Sequence, residues 1–335
     1  MQRLQAFKYE LMPDGQQERQ MRRFAGSCRF VFNKALALQK ERHEQGENKL
    51  DQTNSRLFLP KLGWLRYRNS REVPGTVKNI TVSQSCGKWF VSIQTEREVD
   101  EQPTAQGAAV GIDMGIARFA TLSDGSFYAP LNSFKRHETA LCKAQQAMSR
   151  KVRFSRNWKK AKARVQRIHS RIGNARRDYL HKCSTTISQN HAMVCIEDLQ
   201  VRNMSRSAAG TAEAPGRNVR AKSGLNRAIL DQGWFEFRRQ LDYKLAWRGG
   251  WLIAVPPQNT SRTCPCCGHV SAANRQTQAL FRCVGCGFEG NADVVGAINV
   301  LRAGHARLAC EVSAEVMAPA AGTHRSDSGA ARCRA

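Results

Sequence analysis

Alternation of apolar and polar residues predicts a β-rich N-terminal region. Lys78–Ser83 and Trp89–Gln94 alternate with a period of two, and Gln84–Gly87 between them is a hairpin signal. Ahead of this hairpin, a helix is expected from about Gln16 to Gln45. Further strands are expected near Gln5–Leu11 and Arg56–Arg68. Residues 101–107 have the composition of a linker, so this region is expected to end there.

Two further apolar strands each end in an acidic residue. Ala108–Gly115 reads as a strand with Asp113 at its rim, followed by a second strand and a turn at Asp124-Gly125. His191–Asp198 carries Val, Cys and Ile before Glu197, so Glu197 is expected to emerge where that strand ends. Another core strand is expected over residues 252–255, before the pair Pro256-Pro257.

A helix is predicted to begin at Asp293. Apolar residues recur at helical spacing on its C-terminal side, which indicates a helix packed on a larger core. These residues are Val294, Ala297, Ile298 and Leu301. Taken alone, Asp293 could simply be a helix cap.

Asp113, Glu197 and Asp293 therefore all lie at the ends of predicted elements. They could be three caps, or partners in ion pairs with the many basic residues of the chain. Together they form a set of hard oxygen ligands of the kind that Mg²⁺ or Mn²⁺ prefers. Two such ions can promote phosphodiester cleavage, so the three carboxylates are candidate catalytic residues and magnesium ligands.

Four cysteines indicate a structural zinc site. Cys264 and Cys267 form one Cys-x-x-Cys pair, and Cys283 and Cys286 form a second pair after fifteen intervening residues. A glycine follows each pair and can adopt the positive φ of a tight knuckle. Four unrelated buried thiols are the alternative. Cys266 lies inside the first knuckle and could replace a neighbour, although the spacing favours Cys264 and Cys267.

Composition points to a nucleic-acid partner. The 335 residues, enough for two or three domains, carry a net charge of +26 and a pI near 10.2. Residues 135–182 hold 16 Lys and Arg against two acids, with apolar residues at helical spacing between them. This pattern predicts a helical hairpin with basic faces that bind phosphate, rather than an ordinary solvated helix face. It does not distinguish DNA from RNA.

The order of these motifs resembles that of the TnpB (OrfB) proteins of bacterial insertion sequences. The shared features are Gly-Ile-Asp113-Met-Gly, Ile-Glu197-Asp-Leu, the paired knuckles with Thr-Ser-x-Thr ahead of them, and Ala-Asp293-x-x-x-Ala-x-Asn. The segments 225–244 and 7–36 also look like the family, so the resemblance covers most of residues 1–303. It implies a transposon-associated, RNA-guided DNA endonuclease, with Asp113, Glu197 and Asp293 as its catalytic triad.

The resemblance also implies an α/β fold, with an RNase H-like (RuvC-type) core that carries an inserted basic helical hairpin and a zinc ribbon. The expected cofactors are structural Zn²⁺, catalytic Mg²⁺ or Mn²⁺ and a guide RNA from the transposon end, and DNA is the expected substrate. The expected domains are a nucleic-acid-binding region at 1–105, a nuclease core at 106–259 with inserted helices at 135–190, a zinc ribbon at 260–289, the last core helix at 290–303 and a disordered tail at 304–335.

Two departures from the family pattern bear on function. Relatives commonly have Asp-Arg-Asp where this chain has Asn291-Ala292-Asp293. The N-terminal region also looks shortened, because residues 47–54 join the first helix directly to the next strand. This departure is expected to weaken RNA-guided targeting more than the cleavage chemistry.

Two other functions are alternatives to the nuclease. A nucleic-acid-binding regulator, or an accessory transposase protein with impaired cleavage, would not need the three acids. A transposase that cuts single strands would need a tyrosine nucleophile and a His-x-His pair, and the sequence has no His-x-His.

No signal peptide or membrane span is expected. Residues 1–25 contain no signal-peptide-like apolar run, and no stretch of 18 apolar residues occurs anywhere. The expected location is the bacterial cytoplasm, in association with the nucleoid, and the expected state is a monomer. Residues 202–223, rich in Ser, Ala, Gly and Arg, are expected to form a mobile loop that gates the site beside Glu197.

Overall fold

The computed structural model describes residues 2–25, 50–51, 56–59, 62–68, 73–100 and 107–317. Within them the chain divides into two compact units. The first unit comprises residues 1–101 and 134–174, and the second comprises 102–133 and 175–335. The expected domain boundary at residue 105 lies among residues 101–106, which are outside the described part.

The first unit contains a six-stranded antiparallel sheet in the order β2-β3-β4-β1-β6-β5. Its core is formed by side chains on one face, among them Leu11, Leu65, Val91 and Ile93. The strands are β1 (Gln2–Met12), β2 (Leu50–Asp51), β3 (Arg56–Leu59), β4 (Gly63–Tyr67), β5 (Thr76–Ser85) and β6 (Lys88–Glu98).

The sequence locates most of this sheet. The predicted hairpin is confirmed, and Cys86 and Gly87 at its turn have φ values of 53° and 79°. Two successive residues with positive φ match a type I′ turn, which suits the twist of paired strands. The single strand predicted over 56–68 is instead two antiparallel strands, β3 and β4, and Gly63 at the start of β4 has a φ of 69°.

Helix α1 (Gly15–Ala25) begins where the sequence predicts a helix. Asp14 accepts hydrogen bonds from the backbone N–H groups of Gln16 and Gln17, both at 2.8 Å, so it caps the helix. The rest of the predicted helix, to residue 45, lies outside the described residues.

The basic hairpin is also helical. It consists of α2 (Ser133–Ser149) and α3 (Arg156–Asn190). In the first unit the two helices share a small apolar seam of Leu141, Ala144 and Val165. Because this seam is narrow, most basic side chains of the hairpin remain exposed.

The second unit is built on a five-stranded sheet in the order β11-β10-β7-β8-β9. Strands β7, β10 and β11 run parallel to one another, whereas β8 is antiparallel to β7 and β9 is antiparallel to β8. The strands are β7 (Ala108–Asp113), β8 (Ala120–Leu122), β9 (Phe127–Tyr128), β10 (His191–Glu197) and β11 (Trp251–Val255). This mixed sheet matches the strands that the sequence predicts around Asp113 and Glu197.

Helices cover the core of this sheet. The C-terminal part of α3 packs with α5 (Val219–Gln232) and α6 (Trp234–Ala246) through side chains such as Leu180, Ile187, Phe237 and Leu241. Lys244 is buried between α6 and α3, where its Nζ donates to His181 O and to the hydroxyls of Ser184 and Thr185 at 2.7–2.9 Å. A short helix α4 (Val201–Met204) precedes α5.

Residues 202–223 are more ordered than predicted. Residues 202–204 belong to α4 and residues 219–223 to α5, so the connecting segment is only 205–218. Lys222 Nζ donates to Met204 O at 2.6 Å and Asn226 Nδ2 donates to Arg206 O at 3.1 Å, which ties both helices together. The expectation of one long loop is therefore wrong. It rests on the composition of residues 202–223, which gives no information about these side-chain hydrogen bonds.

The last helix, α7 (Ala292–Met317), is longer than predicted. The sequence predicts an end near residue 303 and a disordered tail from 304, but the structure has helix through residue 317. Tertiary packing explains the difference. A Cβ at Gly304 would lie 2.1 Å from Cys195 Sγ, so the helix backbone lies directly on β10, and Arg307 donates to Ala254 O at 2.8 Å. Residues 318–335 lie outside the described part.

A small two-stranded sheet of β12 (Leu280–Arg282) and β13 (Glu289–Asn291) precedes α7. Across the described residues, none of the helices has the length and apolar character needed to span a bilayer.

Candidate functional site

Two acidic residues meet at one edge of the mixed sheet. β7 and β10 are parallel neighbours, and Ile112 pairs with Ile196 one residue before each strand ends. Asp113 and Glu197 therefore follow in adjacent positions, because neighbouring strands lie about 4.8 Å apart. Glu197 is buried, with 8% exposure, and Asp113 is partly buried. The sequence-based expectation of carboxylates at this rim agrees with this geometry.

Helix α7 brings the third carboxylate to the same edge. Asp293 lies in the first turn of α7, and Gly296 one turn later packs on Asp113 so closely that an added Cβ would lie 3.1 Å from Asp113 Oδ2. Asn291 is the residue that caps this helix, since its Oδ1 accepts from the N–H groups of Asp293 and Val294 at 3.1 and 3.3 Å. The helix cap is therefore Asn291, and Asp293 does not have this role.

The three carboxylates are electrostatically coupled. Burial, which is the largest cause, and the negative charges of Glu197 and Asp293 together raise the pKa of Asp113 to about 7, while the charge of Arg275 acts in the opposite direction. Burial also raises the pKa of Glu197, against the hydrogen bond from Thr260 and the charge of Arg275. Such a cluster of acids in one partly buried place favours the approach of a cation.

Three residues around the carboxylates had no role assigned from the sequence. Thr260 Oγ1 donates to Glu197 Oε1 at 2.7 Å, and Arg275 lies 3.7 Å from Asp293 Oδ1. Asn299 Nδ2 donates to the carbonyl oxygens of Thr260 and Thr263, both at 2.7 Å. Thr260 belongs to the Thr-Ser-x-Thr motif and Asn299 to the Ala-x-Asn motif, so the sequence motifs include both positions. No sequence motif includes Arg275.

The four predicted zinc ligands converge. Within the described chain, the Sγ atoms of Cys264, Cys267, Cys283 and Cys286 all lie within 4.8 Å of one another. Two of the sulfur–sulfur distances are 3.6 Å, close to the roughly 3.8 Å edge of a tetrahedron with Zn–S bonds of about 2.3 Å. Cys266 is not in this group; its backbone N–H donates to Cys264 Sγ at 3.4 Å.

Local backbone geometry supports the two knuckles. Gly268 and Gly287, which follow the pairs, have φ values of 75° and 76°, as the sequence predicts. The N–H groups of Gly285 and Cys286 point at Cys283 Sγ from 3.3 and 3.4 Å. Asn274 joins the two knuckles, because its side chain bonds to His269 O at 3.0 Å and accepts from Val284 N at 3.0 Å.

The cysteine module is joined to the helix that carries Asp293. Ala292 and Val295 of α7 pack with Cys264, Phe281 and Cys283 in one buried cluster. Ala292 N also donates to Ala279 O at 2.9 Å. The start of α7 is consequently held by the module, although the three carboxylates themselves do not form a ligand set as compact as the four thiols.

Three family models match the chain. The model for OrfB of IS605-type elements, described as "Probable transposase", matches residues 92–208. A model described as "Cas12f1-like, TNB domain" matches residues 234–300, which include all four clustered cysteines. A model described as "Helix-turn-helix domain", from the same OrfB proteins, matches residues 1–48. These matches define the class as transposon-encoded OrfB-type proteins.

Two similar proteins agree with this class. The chain is 52% identical to InsQ of Escherichia coli (strain K12), over 92% of this chain and 94% of that protein; InsQ is assigned as an RNA-guided DNA endonuclease. It is 37% identical to a Streptomyces pristinaespiralis protein with the same assignment, over 77% of this chain and 61% of that protein. The chain belongs to the TnpB (OrfB) family of IS605-type elements.

A solved structure is also partly similar. The cryo-EM structure of a Cas12f1–sgRNA–target DNA complex matches 72% of this chain and 57% of that chain, with 17% sequence identity and a TM-score of 0.38.

Proposed function

We propose that this protein is a transposon-associated, RNA-guided DNA endonuclease. Asp113, Glu197 and Asp293 are the residues that catalyse the cleavage of phosphodiester bonds. Its second unit would be an RNase H-like core of the RuvC type, interrupted by a zinc ribbon. The mixed sheet supports this fold, as does α7, which packs so tightly on β7 that a Cβ at Gly111 would lie 2.0 Å from Ala297 O.

The observation that carries the proposal is the coupling among the three carboxylates. Three acids drawn from β7, β10 and α7 meet in one place, where their mutual repulsion helps to raise the pKa of Asp113 to about 7. Caps or ion pairs would lower the pKa of an acid instead. A regulator without catalytic activity gains nothing from such a costly arrangement.

The donor set fits divalent metal ions. Carboxylate oxygens are the ligands preferred by Mg²⁺ and Mn²⁺, and a cation would relieve the repulsion among Asp113, Glu197 and Asp293. When bound, such ions supply an activated water and stabilise the leaving oxygen. Thr260 fixes the orientation of Glu197, and Arg275 adds a positive charge that attracts the phosphodiester to a site made of acids.

The four thiols fit a structural zinc ion rather than a catalytic one. A closed set of four cysteines leaves no open position for a substrate, which is typical of structural zinc. In this proposal Cys264, Cys267, Cys283 and Cys286 hold Zn²⁺, and the ribbon maintains the start of α7. Asp293 then remains close to Asp113 and Glu197.

Nucleic acids are the proposed partners. The net charge of +26 and the exposed basic hairpin support binding to a polyanion, and the assigned activity of InsQ supports a guide RNA and a DNA target. We propose that the guide RNA derives from the transposon end and that the protein acts as a monomer on nucleoid DNA in the bacterial cytoplasm.

Reconstitution tests this proposal. The full chain is purified with RNA transcribed from the end of its element and is then offered DNA that matches or does not match the guide. We expect cleavage that needs Mg²⁺ or Mn²⁺, needs the RNA and follows the guide sequence. RNA-dependent DNA binding with no cleavage under any divalent ion would favour the regulator instead.

A further inference from the structure

The turn between α2 and α3 forms the most strongly basic part of the hairpin. We call residues 150–162 the hairpin tip. It contains no Asp or Glu, and its seven basic residues form no ion pair with any carboxylate in the described chain. These residues are Arg150, Lys151, Arg153, Arg156, Lys159, Lys160 and Lys162. Because no acid among the described residues pairs with them, they are available to phosphate groups.

An exposed phenylalanine lies at the centre of this charge. Residues 152–155 form a turn in which Ser155 N donates to Val152 O at 3.1 Å, and Phe154 has a φ of 67°. This left-handed position suits glycine, and a bulky residue there is strained. Phe154 is nevertheless 64% exposed, so it gains no core packing that would offset the strain. Folding alone therefore does not explain an aromatic residue here.

Phe154 belongs to an aromatic pair flanked by cations. Its ring lies 5.4 Å from that of Trp158, with an interplanar angle of 60°. The Arg153 guanidinium lies 5.0 Å from the centre of the Phe154 ring, and Lys162 Nζ lies 5.1 Å from the centre of the Trp158 ring. Ser155 Oγ accepts from Trp158 N at 3.1 Å, which fixes the start of α3 and holds the two rings together.

An exposed ring among cations without carboxylate partners matches the way proteins hold unpaired bases. A base can stack on an aromatic face while the phosphates on either side of it contact Lys and Arg. Paired bases in a duplex have no free face to offer, except at an end. The hairpin tip is accordingly built for a single-stranded segment rather than for the side of a duplex.

We propose that Phe154 stacks on an unpaired base of the guide RNA, with the basic residues of the hairpin tip on the adjoining phosphates. RNA fits better than DNA because RNA presents unpaired bases in its loops and bulges, and these are the usual targets of aromatic side chains. The bases of a double-stranded DNA target are still paired when the protein first binds it. The inference rests on the proposed function, since it names where the proposed guide is held.

Binding without cleavage tests this idea in the full chain. The probe is an RNA stem-loop with an adenine-rich loop that carries a 2-aminopurine, whose fluorescence falls when it stacks. A blunt RNA duplex of equal length and a DNA stem-loop of the same sequence serve as comparison probes. We expect the wild-type protein to prefer the RNA stem-loop and to quench the loop fluorophore.

Phe154→Ala should weaken stem-loop binding about tenfold, abolish the quenching and leave duplex binding unchanged. Phe154→Trp should restore both signals. Phe154→Gly separates stacking from folding, because glycine relieves the strain: it should bind as weakly as Phe154→Ala while melting at the same or a higher temperature. Val152→Ala, which removes an 80% exposed apolar residue from the same turn, should bind as the wild type does.

Three results would overturn the proposal. Equal losses for Phe154→Ala and Val152→Ala would show that only general apolar contact matters. Equal losses on stem-loop and duplex would assign the tip to phosphate binding alone. Dependence on Phe154 for the DNA stem-loop but not for the RNA would assign it to a DNA strand. None of these readouts requires metal ions or cleavage, so a failure of the proposed nuclease activity would be seen separately.

Discussion

The charged groups that act on Asp113 are far from it in the sequence. Glu197 is 84 residues away in the chain and Asp293 a further 96, yet both charges act on the carboxyl group of Asp113. Its pKa, raised to about 7, means that protons and cations compete for it near neutral pH. Two properties of the proposed site can therefore be tested by single substitutions: the dependence of cleavage on Asp113, and the effect of Arg275 on its pH profile.

The first property is that cleavage depends on the carboxylate of Asp113. Asp113→Ala should reduce the cleavage rate by about a thousandfold or more, because a lost ligand removes several kcal/mol of transition-state stabilisation. RNA and DNA binding should persist, since the basic hairpin is unchanged. Asp124→Asn is the matched control: Asp124 lies on the exposed turn between β8 and β9, where its Oδ1 bonds to Ser126. Undiminished cutting by Asp113→Ala would contradict the assignment.

The second property concerns Arg275 and pH. Its positive charge lowers the pKa of Asp113, so Arg275→Ala should raise that pKa and leave more of Asp113 protonated at pH 7. A protonated carboxyl group holds a cation poorly, so cleavage should fall most at low pH and recover as pH rises. A pH profile of the cleavage rate measures this shift.

Arg282→Ala serves as the control for Arg275, because Arg282 pairs with Glu289 on the surface of the same module. It should leave the pH profile in place. An equal loss of rate at every pH for Arg275→Ala would mean that Arg275 acts on substrate binding instead of on Asp113.

At the scale of elements, the contact between β7 and α7 positions the carboxylates. The absence of a side chain at Gly111 lets the helix backbone approach the strand, since an added Cβ would lie 2.0 Å from Ala297 O and 2.7 Å from Leu301 N. Any side chain at position 111 must push α7 away from β7. Asp293 would move with the helix.

Gly111→Ala should therefore lower both stability and cleavage. Overpacking of this kind reduces the free energy of unfolding by about 1–3 kcal/mol, which thermal melting would measure. Gly173→Ala, in α3, is the matched control: its added Cβ has no atom within 4 Å, and it should raise stability by roughly 0.5–1 kcal/mol. If Gly111→Ala cleaves at the wild-type rate, tight contact between β7 and α7 is not what positions Asp293.

The ribbon is the second element that holds α7. Cys283→Ser should reduce zinc content and cleavage together, because Cys283 is buried against Ala292 and Val295 at the start of the helix. Zinc analysis of protein purified under reducing, chelator-free conditions gives the first readout. Cys266→Ser is the matched control, since Cys266 lies in the same knuckle outside the sulfur cluster, and it should retain zinc. Protein that contains no zinc when purified this way would refute the zinc assignment.

At the scale of the whole molecule, the chain differs from its relative in length. The alignment with InsQ extends over 380 residues, whereas this chain has 335, so the relative contains segments that have no counterpart here. The N-terminal region, with its direct connection over residues 47–54, is where the sequence predicts such a loss. Those residues lie largely outside the described part of the structure.

A loss there should affect targeting more than chemistry. Fewer protein contacts along the guide–target duplex should give weak or promiscuous cutting of double-stranded DNA and better cutting of single strands. Cleavage of matched duplex, mismatched duplex and single-stranded targets with the native RNA, beside InsQ, measures this difference. Efficient, mismatch-sensitive duplex cutting equal to that of InsQ would show that the missing segment is dispensable.

The sequence by itself determined the features that rest on local signals. Alternation located β5 and β6, an apolar run located β7, and the knuckle spacing with its glycines located the four thiols. Each of these signals lies within a few residues, where backbone preference and side-chain period act directly. The three carboxylates were also located in this way, because Asp113 and Glu197 end apolar strands and Asp293 lies at the start of a helix with a periodic apolar face.

Only the tertiary structure decided how these parts act on one another. It paired Asn291 with the helix start, so that Asp293 is free of that role, and it brought Arg275 from the ribbon to the carboxylates. It also extended α7 past residue 303, because Gly304 and Arg307 find partners on β10 and β11. These contacts join residues far apart in the chain, and their free energies depend on distance and burial, which no local pattern of residues encodes.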